Sequence, residues 1–164
     1  MNVLEKYKLI FVNRPYSYPN EQAYLVKDAI HYVENDFLGY FLTKFKIIND
    51  IDEIVKDIDF ILSEGFYDRE YCLEIYLDFL DVIYTDTTAL FQETTGILIE
   101  EIPLDDLKNI LLHWKRFIQT EPLEKTKVEK NSDLIYFLKE NEKEDEIAKF
   151  IAQIYGSNFT LIKS

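Results

Sequence analysis

The chain has 164 residues, enough for one domain that buries roughly 68–70% of its unfolded surface with no disulfide or metal staple. Apolar residues make up 48% of it, which excludes wholesale disorder, and four Gly and four Pro argue against turn-rich sandwiches and Gly-rich phosphate-binding folds. With 18 basic and 31 acidic residues the net charge is −13, which excludes autonomous nucleic-acid binding, since phosphate affinity rests on clustered Lys and Arg.

The first residues, Met1 to Lys8, lack the apolar region of a secretory signal, and no stretch approaches the roughly 18 apolar residues of a membrane span. Tyr7 to Val12 reads as a short strand, and Pro15 and Pro19 hold the following segment in an extended path. From Asn20, the spacing of Val26, Ala29, Ile30, Val33, Phe37, Tyr40 and Phe41 predicts one helical stripe, with Gly39 as a possible break. Asn49 to Ser63 is a second helix with Ile51, Ile54, Val55, Ile58, Ile61 and Leu62 inward, Asn49 or Asp50 as its cap, and Gly65 at the left-handed C′ position. Asp68 then caps a third helix from Arg69 to about Tyr84, apolar over most of its circumference and so central to the core.

Thr85 to Gly96 reads equally as a short helix or as one arm of a hairpin. Ile97 to Ile102 is a strand, and Pro103 opens the most regular helix, with Leu104, Leu107, Ile110, Leu111, Trp114, Phe117 and Ile118 on one face. Trp114 on that face is packing rather than a ligand platform. The polar stretch Gln119 to Ser132 is a surface loop. Leu134–Lys139 and Ile147–Tyr155 suggest short helices, and Asn158–Lys163 a last strand. The sum is an α+β fold: a mainly α-helical single domain over residues 1–164 with a small β-sheet.

The charge is uneven. Between Asp50 and Asp106 lie 17 acidic residues and only Lys56 and Arg69 as bases, a net of −15, while the rest of the chain nets +2. On the Asn49–Ser63 helix, Asp52, Glu53, Asp57 and Asp59 fall on the solvent side together with Phe60. On the expected 69–84 helix, Glu70, Glu74, Asp78 and Asp81 form a polar strip of like charge, which costs a few tenths of a kcal/mol per i,i+4 pair. Three readings follow: a solvated face that only confers solubility, a strip neutralised by Lys and Arg from distal segments, or a docking surface for a basic partner. Phe66, Tyr67 and Tyr71 supply aromatic neighbours for the third.

Chemistry is weakly indicated. His31 with Glu34, and His113 with Asp106 or Asn109, have metal-ligand spacing on a helix, but such pairs arise by chance, and no metal is assigned. Asp50-Ile51-Asp52-Glu53 lacks the glycine and terminal glutamate of a calcium loop. No nucleophile elbow, P-loop, dinucleotide fingerprint or CxxC occurs, so neither cofactor nor catalytic residue is assigned. Cys72 excludes an internal disulfide and reads as a small core hydrophobe, which fits a reducing cytoplasm.

The stretch from Gly96 through Leu107 to Trp114-Lys115-Arg116-Phe117, a strand feeding an acidic-started helix with Trp and Phe near its end, resembles the small cytoplasmic immunity proteins of bacterial contact-dependent and polymorphic toxin systems. The resemblance covers about 22 residues, carries no diagnostic motif, and so transfers no residue role. It implies a protein that blocks a cognate toxin domain without catalysis of its own.

The expected function is therefore non-enzymatic neutralisation of a basic protein partner such as a toxin domain. Glu53, Asp57, Phe60, Glu70, Glu74, Asp78 and Asp81 are the expected partner-binding residues, with no direct nucleic-acid or membrane contact. Two alternatives are an interaction adaptor that pairs through an apolar surface, a homodimer included, and a carboxylate enzyme with at least two perturbed acids in a cleft.

Overall fold

The computed structural model describes residues 2–16, 24–31, 35–120, 128–129 and 161–162. Its elements are α1 (Val3–Lys6), β1 (Leu9–Tyr16), β2 (Tyr24–His31), α2 (Phe37–Lys44), α3 (Ile48–Glu64), β3 (Ile75–Tyr76), β4 (Asp81–Tyr84), β5 (Thr88–Gln92), β6 (Leu98–Pro103), α4 (Leu104–Ile118), β7 (Val128–Glu129) and β8 (Leu161–Ile162). The class is α+β, with helices and mostly antiparallel strands. Helix does not dominate among the described residues, because two segments expected as helix are strand and turn. The expected helices at 134–139 and 147–155 lie outside the described residues. Of the expected last strand, Leu161–Ile162 is described, paired in parallel with β7. The chain divides into two compact units, one of Met1–Thr43 with Arg116–Ser164, the other of Lys44–Lys115.

In the first unit, Asn2 caps α1 by accepting the Leu4 N–H at 3.0 Å, and Lys8, at φ 50°, turns the chain into β1. β1 and β2 form an antiparallel hairpin from Leu9↔His31 to Tyr16↔Tyr24. Leu9, Ile10 and Phe11 are all fully buried, so this end of the strand is covered on both faces. The helix expected from Asn20 is thus corrected: Val26, Ala29 and Ile30 belong to β2, and helix begins only at Phe37. Their spacing mimics a helical stripe, but pairing with β1 satisfies the backbone there, and β-branched Val and Ile suit a pleated surface.

Asp36 joins the two elements. Its Oδ1 accepts the His31 N–H at 3.0 Å and its carbonyl accepts the Tyr40 N–H at 3.1 Å. Gly39 does not break α2 but is required within it. A Cβ there would collide with the Asp36 carboxylate and lie 2.7 Å from the Ala29 carbonyl oxygen. His31 is buried, edge-on to Phe37 at 5.0 Å between ring centroids, and its Nδ1 has no hydrogen-bond partner among the described residues. Burial, aided by Lys8, lowers its pKa to about 4. Burial of the Asp36 carboxyl, although the residue lies at the surface, raises its pKa to about 6 against the opposing N–H groups of His31 and Gly39.

In the second unit, α3 packs Ile51, Ile54, Ile58 and Ile61 inward. It starts one residue before the expected caps, with no side-chain cap, and ends as expected on Gly65 at φ 76°, whose N–H donates to the Ile61 carbonyl at 2.8 Å. α4 buries Leu104, Leu107, Ile110, Leu111 and Trp114, and the Trp114 indole N–H donates to the Phe45 carbonyl at 2.7 Å. The sheet order is β3-β4-β5-β6, all antiparallel, with Val82, Tyr84, Ala89, Phe91 and Ile102 buried. The segment 85–96 is the hairpin alternative. Gly96 at φ 88° closes the β5–β6 turn, its N–H donating to the Glu93 carbonyl at 2.8 Å.

The helix expected over Arg69–Tyr84 is not formed. A single turn follows Asp68, whose carbonyl accepts from Tyr71 and Cys72, and then Ile75 pairs with Val82 and Tyr76 with Asp81. An apolar run without a clear polar face reads as helix or strand alike, and here cross-strand pairing prevails.

Two outcomes follow from the hairpin and α2. Gly39→Ala, which raises helix propensity, should nevertheless lower stability by about 1–3 kcal/mol in urea unfolding, because backbone and a capping carboxylate occupy the space. His31 has a folded pKa below its unfolded value, so its contribution is lost as pH falls from about 6.5 to about 4. Asp36 has a raised pKa and offsets that loss as pH falls below about 6. Asp36→Asn should therefore steepen the acid loss of stability, and His31→Gln should reverse its sign, both read from urea midpoints between pH 4 and 7.

Candidate functional site: an acidic surface with exposed aromatic residues

The expected binding residues occupy α3 and the segment Phe66–Asp81, and the fold uses them differently. Glu53 is exposed on α3, 3.9 Å from Lys56. Asp52 and Asp59, placed with it on the solvent side, are held by lysines of α4: Lys115 to Asp52 and Lys108 to Asp59, each at 2.5 Å. Neutralisation by distal lysines thus operates on α3 in part. All three pairs are at least partly exposed, which limits each to about 1 kcal/mol or less.

Asp57 turns inward. Its Oδ2 accepts the Leu73 N–H at 3.0 Å, and its backbone carbonyl receives the Cys72 thiol at 3.7 Å. Burial pushes its carboxyl above the usual carboxylate range, the Leu73 N–H opposing this and Glu53 adding to it. Asp57 is thus a clasp between α3 and the following loop. Cys72 is buried, as its reading as a small core hydrophobe expects, and burial followed by the Asp57 charge pushes its thiol up, away from reactivity.

Phe60 was expected to face solvent alone. The structure corrects this: its ring stacks on Tyr71 at 5.4 Å and meets Phe66 edge-on at 6.3 Å, leaving it half-buried. The loop returns across α3 and covers it, an arrangement no local periodicity encodes.

Glu70, Glu74, Asp78 and Asp81 do not form one helical strip. Glu70 is exposed in the turn after Asp68. Glu74 accepts the phenol O–H of Tyr67 at 3.1 Å and that of Tyr76 on its other oxygen. Burial, then Glu74, pushes the Tyr67 phenol up to about 12. Asp78 lies 3.9 Å from Lys44 and is exposed. Asp81 begins β4, opposite Tyr76 of β3 on one side and Gln92 of β5 on the other. The structure therefore brings together Phe60 with Tyr71, Asp57 with Leu73, and Glu74 with Tyr76 and, across the strand pair, Asp81.

Tyr71, expected among the aromatic neighbours, and three residues not singled out, Leu73, Tyr76 and Phe79, complete the surface. Tyr71, Leu73, Tyr76 and Phe79 are 66%, 75%, 63% and 75% exposed. With Phe66 they account for half of the ten exposed large apolar side chains among the described residues. The available signal was the surplus of apolar residues between 66 and 80, more than one helix face can bury. From Glu70 to Leu107 the sequence has ten acidic residues and no lysine or arginine. Exposed apolar side chains in a negative field mark an interaction surface more readily than a solubilising one.

For metal binding, no group of three or more His, Cys, Asp or Glu suited to an ion occurs among the described residues. Glu34, the expected partner of His31, lies outside them. No helix of the described residues is long and apolar enough to cross a membrane. No family model, curated protein or solved structure matches the chain.

The clasp is testable. Asp57→Ala should cost about 0.5–1.5 kcal/mol, the net worth of the hydrogen bond from the Leu73 N–H. It should also speed labelling of Cys72 by a thiol reagent under native conditions, whereas Asp57→Asn, which keeps an acceptor, should restore most of both.

Proposed function

We propose that this chain is a non-enzymatic binding protein that neutralises a basic partner by covering it, in the manner of a cytoplasmic immunity protein that blocks a toxin domain. The observation that carries the reading is the loop from Phe66 to Leu80 and the sheet that follows it. They expose Tyr71, Leu73, Tyr76 and Phe79 where no lysine or arginine occurs from Glu70 to Leu107. Stability alone does not call for either feature. Exposed apolar side chains lose nothing from replacement by polar ones, and unmatched carboxylates repel one another. A partner that buries the rings and supplies cations makes sense of both, the field raising the association rate and the rings supplying affinity.

Glu53, Glu70, Asp78 and Asp81 serve the field in this reading, while Asp57, Phe60 and Glu74 hold the surface in shape from beneath. The single domain over residues 1–164, with helix as its larger share, and the cytoplasmic setting of the unpaired Cys72 belong to the same proposal.

The test uses the product of the neighbouring reading frame as the partner. Glu70→Lys together with Asp78→Lys should slow its association by tenfold or more at low salt and flatten the dependence of the rate on salt. An unchanged rate and an unchanged salt dependence would remove the electrostatic reading. A second reading, self-pairing through the same apolar residues, is favoured by their exposure alone, and sedimentation at two concentrations decides it.

A further inference from the structure

We infer that the exposed aromatic surface of the Phe66–Leu80 loop receives arginine, rather than lysine, side chains of the partner. The inference rests on the basic-partner reading above and specifies its chemistry. The loop presents the rings of Tyr71 and Tyr76 at 66% and 63% exposure, alongside Leu73 and Phe79. A guanidinium is planar and weakly hydrated, so it stacks on such rings at small desolvation cost, whereas an ammonium keeps its water and acts as a point charge.

The carboxylates beside the rings suit the same group. Glu74 is fixed by two phenol donors, one on each oxygen, from Tyr67 and Tyr76. A fixed carboxylate between aromatic rings favours a donor of fixed fork geometry. Glu70 and Asp81 lie on the same short stretch of chain, and neither has a salt bridge among the described residues.

Charge selects the occupant. A second copy of this chain would bring two strongly acidic surfaces together, each drawn from a segment of 17 acidic and two basic residues. A cationic partner meets no such repulsion. Arg69 is the only basic residue between Phe66 and Leu80. Its charge already acts on Tyr67 and Tyr76, so it opposes an incoming cation at those rings. Removing it should strengthen binding.

The experiment measures equilibrium binding of two synthetic eight-residue peptides to the full chain at low salt. They are identical except that four positions are arginine in one and lysine in the other. The arginine peptide should bind about two- to fivefold more tightly, the advantage expected of guanidinium over exposed rings. Tyr71→Ala and Tyr76→Ala should each bring the ratio towards one, and Arg69→Ala should tighten both peptides. Tyr76→Phe keeps the ring but removes one of the two phenol donors to Glu74, so it should lower the ratio less than Tyr76→Ala does, and thermal melts verify that each variant is folded. Equal, salt-sensitive binding of both peptides would overturn the arginine assignment and leave the basic-partner reading standing. Failure of both peptides to bind would remove the arginine assignment and the basic-partner reading together. Concentration-dependent dimers dispersed by Leu73→Glu would overturn the assignment in favour of a second copy.

Discussion

Like charges confined to one small fold repel, and the unit Lys44–Lys115 holds 17 acidic residues against six basic ones. Its apolar interior withstands that repulsion. Ile51, Ile54, Ile58 and Ile61 of α3, the buried face of the sheet, and Leu104, Leu107, Ile110, Leu111 and Trp114 of α4 are apolar side chains almost wholly removed from water. Each contributes on the order of 1.5–3 kcal/mol, against a few tenths for each unfavourable pair of surface charges. The acidic surface is thus a tolerated cost, spread over the exterior of a core that does not need it. Lys108 and Lys115 answer two of the carboxylates on α3, and beyond them, among the described residues of the loop and sheet, only Asp78 is matched, 3.9 Å from Lys44.

The loop's shape follows from contacts made at a distance along the chain. Asp57 holds the Leu73 N–H, Phe60 stacks beneath Tyr71, and Cys72 tucks its thiol under the same turn of α3. These attachments draw the backbone of residues 71–73 onto the helix and turn Tyr71 and Leu73 outward. Glu74 then organises Tyr67 and Tyr76, and the strand pair of Tyr76 with Asp81 closes the segment. Rings exposed on a fixed framework lose little conformational freedom on binding, which suits the proposed role.

Much of this was legible in the sequence, and the failures have a common cause. α4 was evident because its apolar residues recur over four turns with acids in its first turn. The end of α3 was evident because Gly65 is the natural residue for a left-handed cap. The β6 strand was legible for similarly local reasons, whereas Thr85–Gly96 read equally as helix or hairpin because its short apolar run fits either. β2 was misread because Val26, Ala29 and Ile30 satisfy a helical spacing by coincidence, while the decisive factor, pairing with β1 some twenty residues away, leaves no local trace. The 69–84 segment was misread because richness in apolar residues was taken as burial. Its acids were foreseen as a surface, but a helical strip was the wrong geometry, and Phe60 was placed in solvent because the ring that covers it comes from the next segment.

The most direct measurement of the central claim concerns the free protein, through its stability against urea as sodium chloride is raised from about 10 to about 300 mM. Salt screens exposed charges within roughly a Debye length and leaves buried apolar contacts nearly untouched over this range. If the negative field of the loop and sheet is unmatched within the molecule, stability rises as salt screens the repulsion. If stability instead falls, the carboxylates are engaged in attractive pairs within the fold, and no surplus of negative charge awaits a partner.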